Sequence, residues 1–512
     1  MKIPSRRQFL RTAGTSAAGL AWFSILGRSK ARADAPTGRP NILLVFPDQL
    51  RPDWNSLNPH VDVRTPHLAS LAAAGMRFER AYCPSPLCAP SRACLAQGKR
   101  YGRTGVASNG NDNPDGISTF YQGLRDAGYR VGSIGKADLR KASYDWGSDG
   151  LHRVGERVYF RDWGFTDGFD SEGKLDVVIA IQKGEKKGRA YPEHPYGRML
   201  ADRKDGSLET YLKWYVEMRD KSKHSMGGYS FTAPCALPDP AYNDNWVGTN
   251  ALGLLEQGFP QGQPWFLQVN FPGPHAPMDI TPPMASWYSD ARFPQPVKNT
   301  QLSAAVHEKI RQNYSAMVQN IDQWLGQFVE ALERRGEAHN TLVVFSSDHG
   351  EMLGDHNRWS KTLPYEPSAS VPLIVRGPGI RPGSVHRPAA TTLDLPATFL
   401  EVAGAKVPPA MDSQSLVPVF RGTPGAGRTH VTSALGSWRL VSDGRWKLVR
   451  GFDPSGAGAG ENGASAPAPK DLPIQLFDLK NDPNELDNLA SRHPEEVGRL
   501  DRLAGGSARL AG

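Results

Sequence analysis

Cysteine is scarce in this chain of 512 residues: Cys83, Cys88, Cys94 and Cys235 are its four. Small exported domains that depend on disulfides are dense in cysteine, and zinc sites space theirs as Cys-x-x-Cys. Three cysteines crowded into 83–94, with one remote and no such spacing, fit neither a disulfide framework nor a zinc centre. Long apolar runs are missing too. The candidate stretch, Ala17 to Leu26, is short and rich in Ala, Gly and Ser, below the length that spans a bilayer. No stable membrane anchor is therefore expected. Acidic residues are absent from the first 33 positions, which carry Lys2, Arg6, Arg7, Arg11, Arg28, Lys30 and Arg32; without these seven the formal net charge falls from +8 to +1. The basic character belongs to that leader, and the rest offers no electrostatic footprint for nucleic acid. Repeats at solenoid periods are also absent.

What the leader does contain is Ser5-Arg6-Arg7-Gln8-Phe9-Leu10, which reads as a twin-arginine export signal, and Ala31-Arg32-Ala33, a small-x-small cleavage site before Asp34. Residues 1–33 are set apart as a signal peptide, with the twin-arginine translocase as partner and a periplasmic or secreted destination. The alternative is an uncleaved anchor or a cytosolic tail. This route exports folded protein, which leaves time in the cytosol for modification of a thiol.

The remaining chain alternates apolar runs of strand length with polar loops and helical patterns. Asn41–Phe46, Tyr129–Ile134, Pro264–Phe271 and Thr341–Ser346 read as buried strands. Thr65–Gly75 predicts a helix with Thr65 as N-cap and Pro66 in its first turn. Gly116–Ala127 predicts another, and Leu302–Arg335 a long helix or two, with Ile310, Tyr314, Met317, Ile321, Leu325 and Phe328 at helical spacing. Residues 139–260 show little periodicity and are expected to be loops and insertions at a rim. The alternation implies an α/β fold with a mostly parallel sheet flanked by helices. Ligands of such sheets bind beyond the carboxyl ends of the strands, and Asp48, Lys136, His275 and Asp348 all follow predicted strands. A smaller unit is expected after Arg421: Trp438-Arg-Leu-Val and Trp446-Lys-Leu-Val, joined by a turn at Asp443-Gly444, and Leu476–Leu479 read as short antiparallel strands. The Gly-, Ala-, Ser- and Pro-rich run Asp453–Lys470 reads as a surface loop. The expected division is 1–33, 34–421 and 422–512.

The most specific segment is Cys88-Ala89-Pro90-Ser91-Arg92, continuing to Gly98-Lys99-Arg100. It places a thiol at the N-terminus of a helix, which lowers its pKa and favours anions, with Arg92 one turn on. This segment resembles the signature of type I sulfatases, enzymes of the alkaline-phosphatase-like fold that oxidise this cysteine to formylglycine. The resemblance extends to Asn41–Arg51, Thr65-Pro66-His67-Leu68, Arg77-Phe78, Ser346–His356 and Leu476–Leu489. It implies hydrolysis of sulfate esters, with Cys88 converted by a formylglycine-generating or sulfatase-maturing enzyme into an aldehyde hydrate that attacks sulfur. It implies a divalent metal on Asp48, Gln49, Asp348, His349 and an oxygen of residue 88; hard donors suit Ca²⁺ or Mg²⁺, and His349 keeps Mn²⁺ open. Arg92, Lys136, His275 and Lys361 are implied as sulfate-pocket residues, with Lys361 or His275 able to protonate the leaving oxygen.

Two departures from the family pattern stand out. Gly135-Lys136-Ala137-Asp138 has Asp138 where many sulfatases carry the histidine assigned as base, so Asp138 is expected to take over that task. Ser370 stands where an arginine is common. Two rival functions share the sequence features: a phosphodiesterase or phosphonate monoester hydrolase on the same fold, and a non-catalytic protein that binds sulfated glycans.

Overall fold

The computed structural model describes residues 38–505 apart from 187, 189–191, 222–227, 299, 301 and 456–471. The proposed signal peptide and nearly all of the Asp453–Lys470 run lie outside the described residues.

Eight strands form the main sheet: β1 (Asn41–Val45), β2 (Met76–Phe78), β3 (Arg130–Gly135), β4 (Asp167–Asp170), β5 (Trp265–Asn270), β6 (Thr341–Ser346), β7 (Leu373–Arg376) and β8 (Ser384–His386). Their order is β8-β2-β7-β6-β1-β5-β3-β4. The run from β6 to β4 is parallel, and only β7 pairs antiparallel with its neighbours. Central parallel strands are covered on both faces, so they are mainly apolar; β1 is buried at every position. Its alternate side chains feed two cores. Leu43 and Val45 pack with Ile310, Tyr314, Ile321 and Leu325, while Ile42 and Leu44 pack with Phe120 and Phe399.

The α-helices of seven residues or more among the described residues are α1 (Pro66–Ala73), α2 (Cys88–Gln97), α3 (Phe120–Asp126), α4 (Asp176–Lys186), α5 (Pro195–Asp202), α6 (Ser207–Lys221), α7 (Asn243–Gly253), α8 (Ala304–Arg334) and α9 (Leu395–Val402), with α10 (Pro494–Leu503) near the C-terminus. Helix α8 is one uninterrupted element. Helix α3 starts four residues later than the sequence suggested: Thr119 caps it, accepting from the Gln122 amide, and Gln122 returns the bond to the Thr119 backbone. At α1, Thr65 occupies the cap position without capping; its hydroxyl accepts from the Ser56 amide at 2.8 Å instead.

The largest correction concerns 139–260. Its described residues carry β4, the short strand pair Arg153–Val154 and Arg157–Val158, the short helix Tyr159–Asp162 and the longer helices α4 to α7, rather than loops alone. Its helical spacing is real but diluted by charge. Tyr211, Trp214 and Met218 share one face of α6 and join Val177, Tyr196 and Leu200 in a core of their own. A small three-stranded sheet of Ala81–Tyr82, Ser370–Val371 and Ala390–Thr391 was likewise not anticipated.

The C-terminal sheet is antiparallel and separate: β9 (Val431–Leu435), β10 (Trp438–Ser442), β11 (Trp446–Arg450) and β12 (Gln475–Asp478), in that order. Strand β9 was missed because 431–435 is short and its buried face, Val431, Ser433 and Leu435, includes a serine that breaks the apolar alternation. The sheet does not have a core to itself. Trp438, Leu440, Val449 and Phe477 pack with Tyr82, Leu87, Met352 and Leu363 from the larger part.

Candidate active site

Four adjacent strands, β6, β1, β5 and β3, deliver the polar residues. Asp48 and Gln49 follow β1, Lys136 follows β3, His275 follows β5, and Asp348 and His349 follow β6. All sit at the carboxyl edge of the sheet, where loop backbone is released from pairing. Gln49 takes a left-handed φ of 67°, held by its own amide donating to Asp348 Oδ1 at 3.0 Å and by Tyr314 donating to its carbonyl at 2.7 Å. Gly135 turns the chain out of β3 with φ 93°; a Cβ there would lie 2.3 Å from the Asn270 carbonyl oxygen.

Helix α2 begins at Cys88, and all ten of its residues are buried. The Ala89 amide, an orphan donor of the first turn, finds Asn109 Oδ1 at 3.0 Å. The Cys88 sulfur lies 3.3 Å from His349 Nε2 and 3.7 Å from Asp48 Oδ1. Ligand atoms of Asp48, Cys88, Asp348 and His349 all fall within 4.8 Å of one another. Burial and Asp48 push the Cys88 thiol pKa up, but Lys136, Lys361 and His349 outweigh them and hold it well below an ordinary thiol. Cys83 and Cys94 behave oppositely: burial pushes both up. All four cysteines are free and buried.

Arg92 lies one turn along α2. Its Nε donates to Asp348 Oδ2 at 2.9 Å, and its Nη1 to the Lys136 carbonyl and to Asn270 Oδ1 at 3.1 Å. Its Nη2 is buried without a hydrogen-bond partner among the described residues. The Lys136 ammonium pairs with Asp48 and, at 3.0 Å, with Asp138. Asp138 also receives Lys141 at 3.2 Å, and Lys141 reaches Asp176 at 2.9 Å. Burial would raise the Asp138 pKa, yet Lys136, Lys141 and Arg92 bring it down to about 2. Lys361 donates to Gln49 Oε1 at 2.8 Å and to His275 Nε2 at 2.5 Å. Ser370, in the small sheet, donates to Glu366 at 2.7 Å.

The donor set suits a divalent cation. His349 Nδ1 lies 3.0 Å from the Gly350 carbonyl, a bond that needs a proton on Nδ1 and makes Nε2, on the Cys88 side, the nitrogen a cation would meet. Asp348 is raised chiefly by burial, and also by the charges of Asp48 and Cys88, despite Arg92. The amide of Gln49 lies beside this cluster and bonds to Lys361, Tyr229 and Glu351.

Asp48, Gln49, Cys88, Arg92, Lys136, Asp138, His275, Asp348, His349 and Lys361 are thus brought together at this one edge, while Ser370 lies in the three-stranded sheet. Sequence reasoning missed Tyr229, Lys141, Asp176 and Asn270, which come from segments without a motif. Glu351 stood inside the quoted Ser346–His356 run, but only the fold shows what it touches.

Residues 40–405 match the family model for sulfatases. The chain belongs to the sulfatase family. It is a sulfuric ester hydrolase of the alkaline-phosphatase-like fold. A choline-sulfatase of Rhizobium meliloti (strain 1021) is 28% identical over 493 residues, covering 89% of this chain and 83% of its own. An arylsulfatase of Clostridium perfringens (strain 13 / Type A) is 26% identical over 504 residues, covering 91% and 93%. Among solved structures, one in complex with its substrate D-glucosamine-2-N,6-O-disulfate superposes with a TM-score of 0.67 at 18% identity, over 91% of this chain and 97% of that one. The phosphonate monoester hydrolase of Agrobacterium radiobacter gives 0.67 at 20% identity, over 91% and 95%. These two likenesses speak for the fold of this sulfatase. No helix of the described residues is long and apolar enough to cross a membrane.

Proposed function

We propose that this sulfatase works through a formylglycine at position 88 and one divalent metal, and that it is exported by the twin-arginine pathway to the periplasm or beyond. The observation that carries the reading is the position of Cys88: first residue of a buried helix, within ligand distance of Asp48, Asp348 and His349. Oxidised by a maturing enzyme, residue 88 would supply the attacking hydroxyl, and a metal held by Asp48, Asp348, His349 and the Gln49 amide oxygen would supply Lewis acidity. The oxygen-rich set favours calcium.

The chain's own residues do the rest. Arg92, Lys136 and Lys361 surround the position of a sulfate with fixed positive donors, and the unpartnered Arg92 Nη2 is a ready one. Lys361 donates to His275 Nε2, so this pair can pass a proton to the leaving oxygen. Asp138 is less suited to the task of base that its place in the sequence suggested. A carboxylate held at about 2 between two lysines is a weak base, and we assign it the positioning of Lys136 instead.

A phosphonate monoester hydrolase is the second reading, supported by the structural likeness to one. The test has two parts. The Cys88 peptide is weighed after coexpression with a maturing enzyme, and the same protein is assayed on an aryl sulfate and an aryl phosphate diester. An aldehyde or hydrate mass with faster sulfate turnover supports the proposal. Faster diester turnover favours the second reading, and an unmodified thiol with no turnover leaves a glycan-binding protein.

A further inference from the structure

Gln49 is bonded on both sides of its amide. Its Nε2 donates to Tyr229 Oη at 2.8 Å and to Glu351 Oε2. Its Oε1 accepts from Lys361 at 2.8 Å. The assignment of nitrogen and oxygen follows from the partners. Glu351 as a carboxylate can only accept. It takes the phenolic proton of Tyr229 at 2.5 Å, so the Tyr229 oxygen is left with lone pairs. Two acceptors therefore face one end of the Gln49 amide and an ammonium, which can only donate, faces the other. A flipped amide would set oxygen against oxygen twice and nitrogen against ammonium once. Glu351 is itself fixed: its other oxygen accepts the backbone amides of Leu353 at 2.8 Å and Ser360 at 2.9 Å. Tyr229 is buried and packed against Trp359, ring centroids 4.9 Å apart.

We infer that Tyr229 and Glu351 are positioning residues that hold the Gln49 carbonyl oxygen turned toward Lys361 and the Cys88 cluster, so that the long insertion between β3 and β5 completes the metal site without contributing a ligand. The inference rests on the metal reading above. Partners that orient a metal ligand have effects of about 10- to 100-fold on affinity when removed. A carboxylate-to-amide change at Glu351 abolishes the acceptor-only character that selects the orientation. Loss of the Tyr229 hydroxyl removes one of two acceptors and leaves Glu351 to hold the amide alone.

The experiment is a calcium titration by calorimetry on chelator-stripped full-length protein: wild type, Glu351→Gln, Tyr229→Phe, Gln49→Ala and the Gln49→Ala/Glu351→Gln pair, with kcat and KM on an aryl sulfate alongside. Glu351→Gln is expected to weaken calcium binding about 10- to 100-fold and Tyr229→Phe less. The pair is expected to be no worse than Gln49→Ala alone, because Glu351 acts through Gln49. Unchanged affinity in the single variants, or fully additive losses in the pair, overturns the inference. Tyr229→Phe decides if Glu351→Gln does not fold. A wild type that hydrolyses sulfate esters yet binds no metal would instead remove the metal reading on which this one stands.

Discussion

At the scale of single residues, the site is a set of charges that need one another. Asp48, Asp138, Asp348 and Cys88 are buried among Arg92, Lys136 and Lys361, and no charge could be buried there alone without a large penalty. Asp138 distinguishes two accounts of turnover. If it serves as the base for product release, Asp138→Asn gives a rapid burst of one turnover and then stalls. If it positions Lys136, the first turnover is itself slowed, by about 10- to 100-fold, and no burst appears. We expect the second outcome, read by stopped-flow on a chromogenic sulfate. The residues themselves were legible before the fold: strand-end acids and the Cys88 motif announced the centre. What surrounds them was not, because Tyr229, Lys141 and Asp176 are ordinary residues until the chain returns them to the same edge.

At the scale of elements, the parallel core was readable and the insertion was not. Runs such as 342–345 are apolar throughout and admit few alternatives, whereas α6 mixes Tyr211, Trp214 and Met218 with six charged positions and hides its period. The insertion has its own electrostatic feature in Glu172. Its two oxygens accept the amides of Tyr196 and Gly197 at 3.2 and 3.0 Å, at the start of α5. Burial raises its pKa to about 7 even so. The sign follows from proton counting. Between about pH 4.5 and 7 the folded state holds a proton that the unfolded chain has lost, so this group's contribution to stability falls as pH rises through that window. The full loss is up to about 3 kcal/mol. Urea midpoints measured from pH 4.5 to 8 should show a shallower decline in Glu172→Gln than in the wild type; parallel curves would mean Glu172 is ionised throughout.

At the scale of the whole molecule, the small sheet and the large one act as one body. Trp438 Nε1 donates to the Thr362 carbonyl at 3.0 Å, and Lys447 donates to the Pro364 carbonyl and to Glu366, both at 2.8 Å. The Ala434 amide donates to the Pro84 carbonyl at 3.1 Å. These bonds hold the loop that carries Lys361 and the approach to Cys88. A shared core of this kind predicts one cooperative calorimetric transition for the intact protein, and insolubility for a chain ended at residue 421. Two resolved transitions, or a folded truncated chain, would show that the subdomain is independent.

Cys88 is only 1% exposed, walled in by Asp48, Lys136 and His349. Enclosure of that depth imposes an order in time. On our proposal that a maturing enzyme converts Cys88, that enzyme would have to reach the thiol while the strands are still apart, so conversion would come first and closure of the sheet second. Folding would then be a deadline: a molecule that misses it would be sealed with its sulfur intact, beyond rescue by later supply of the maturing enzyme.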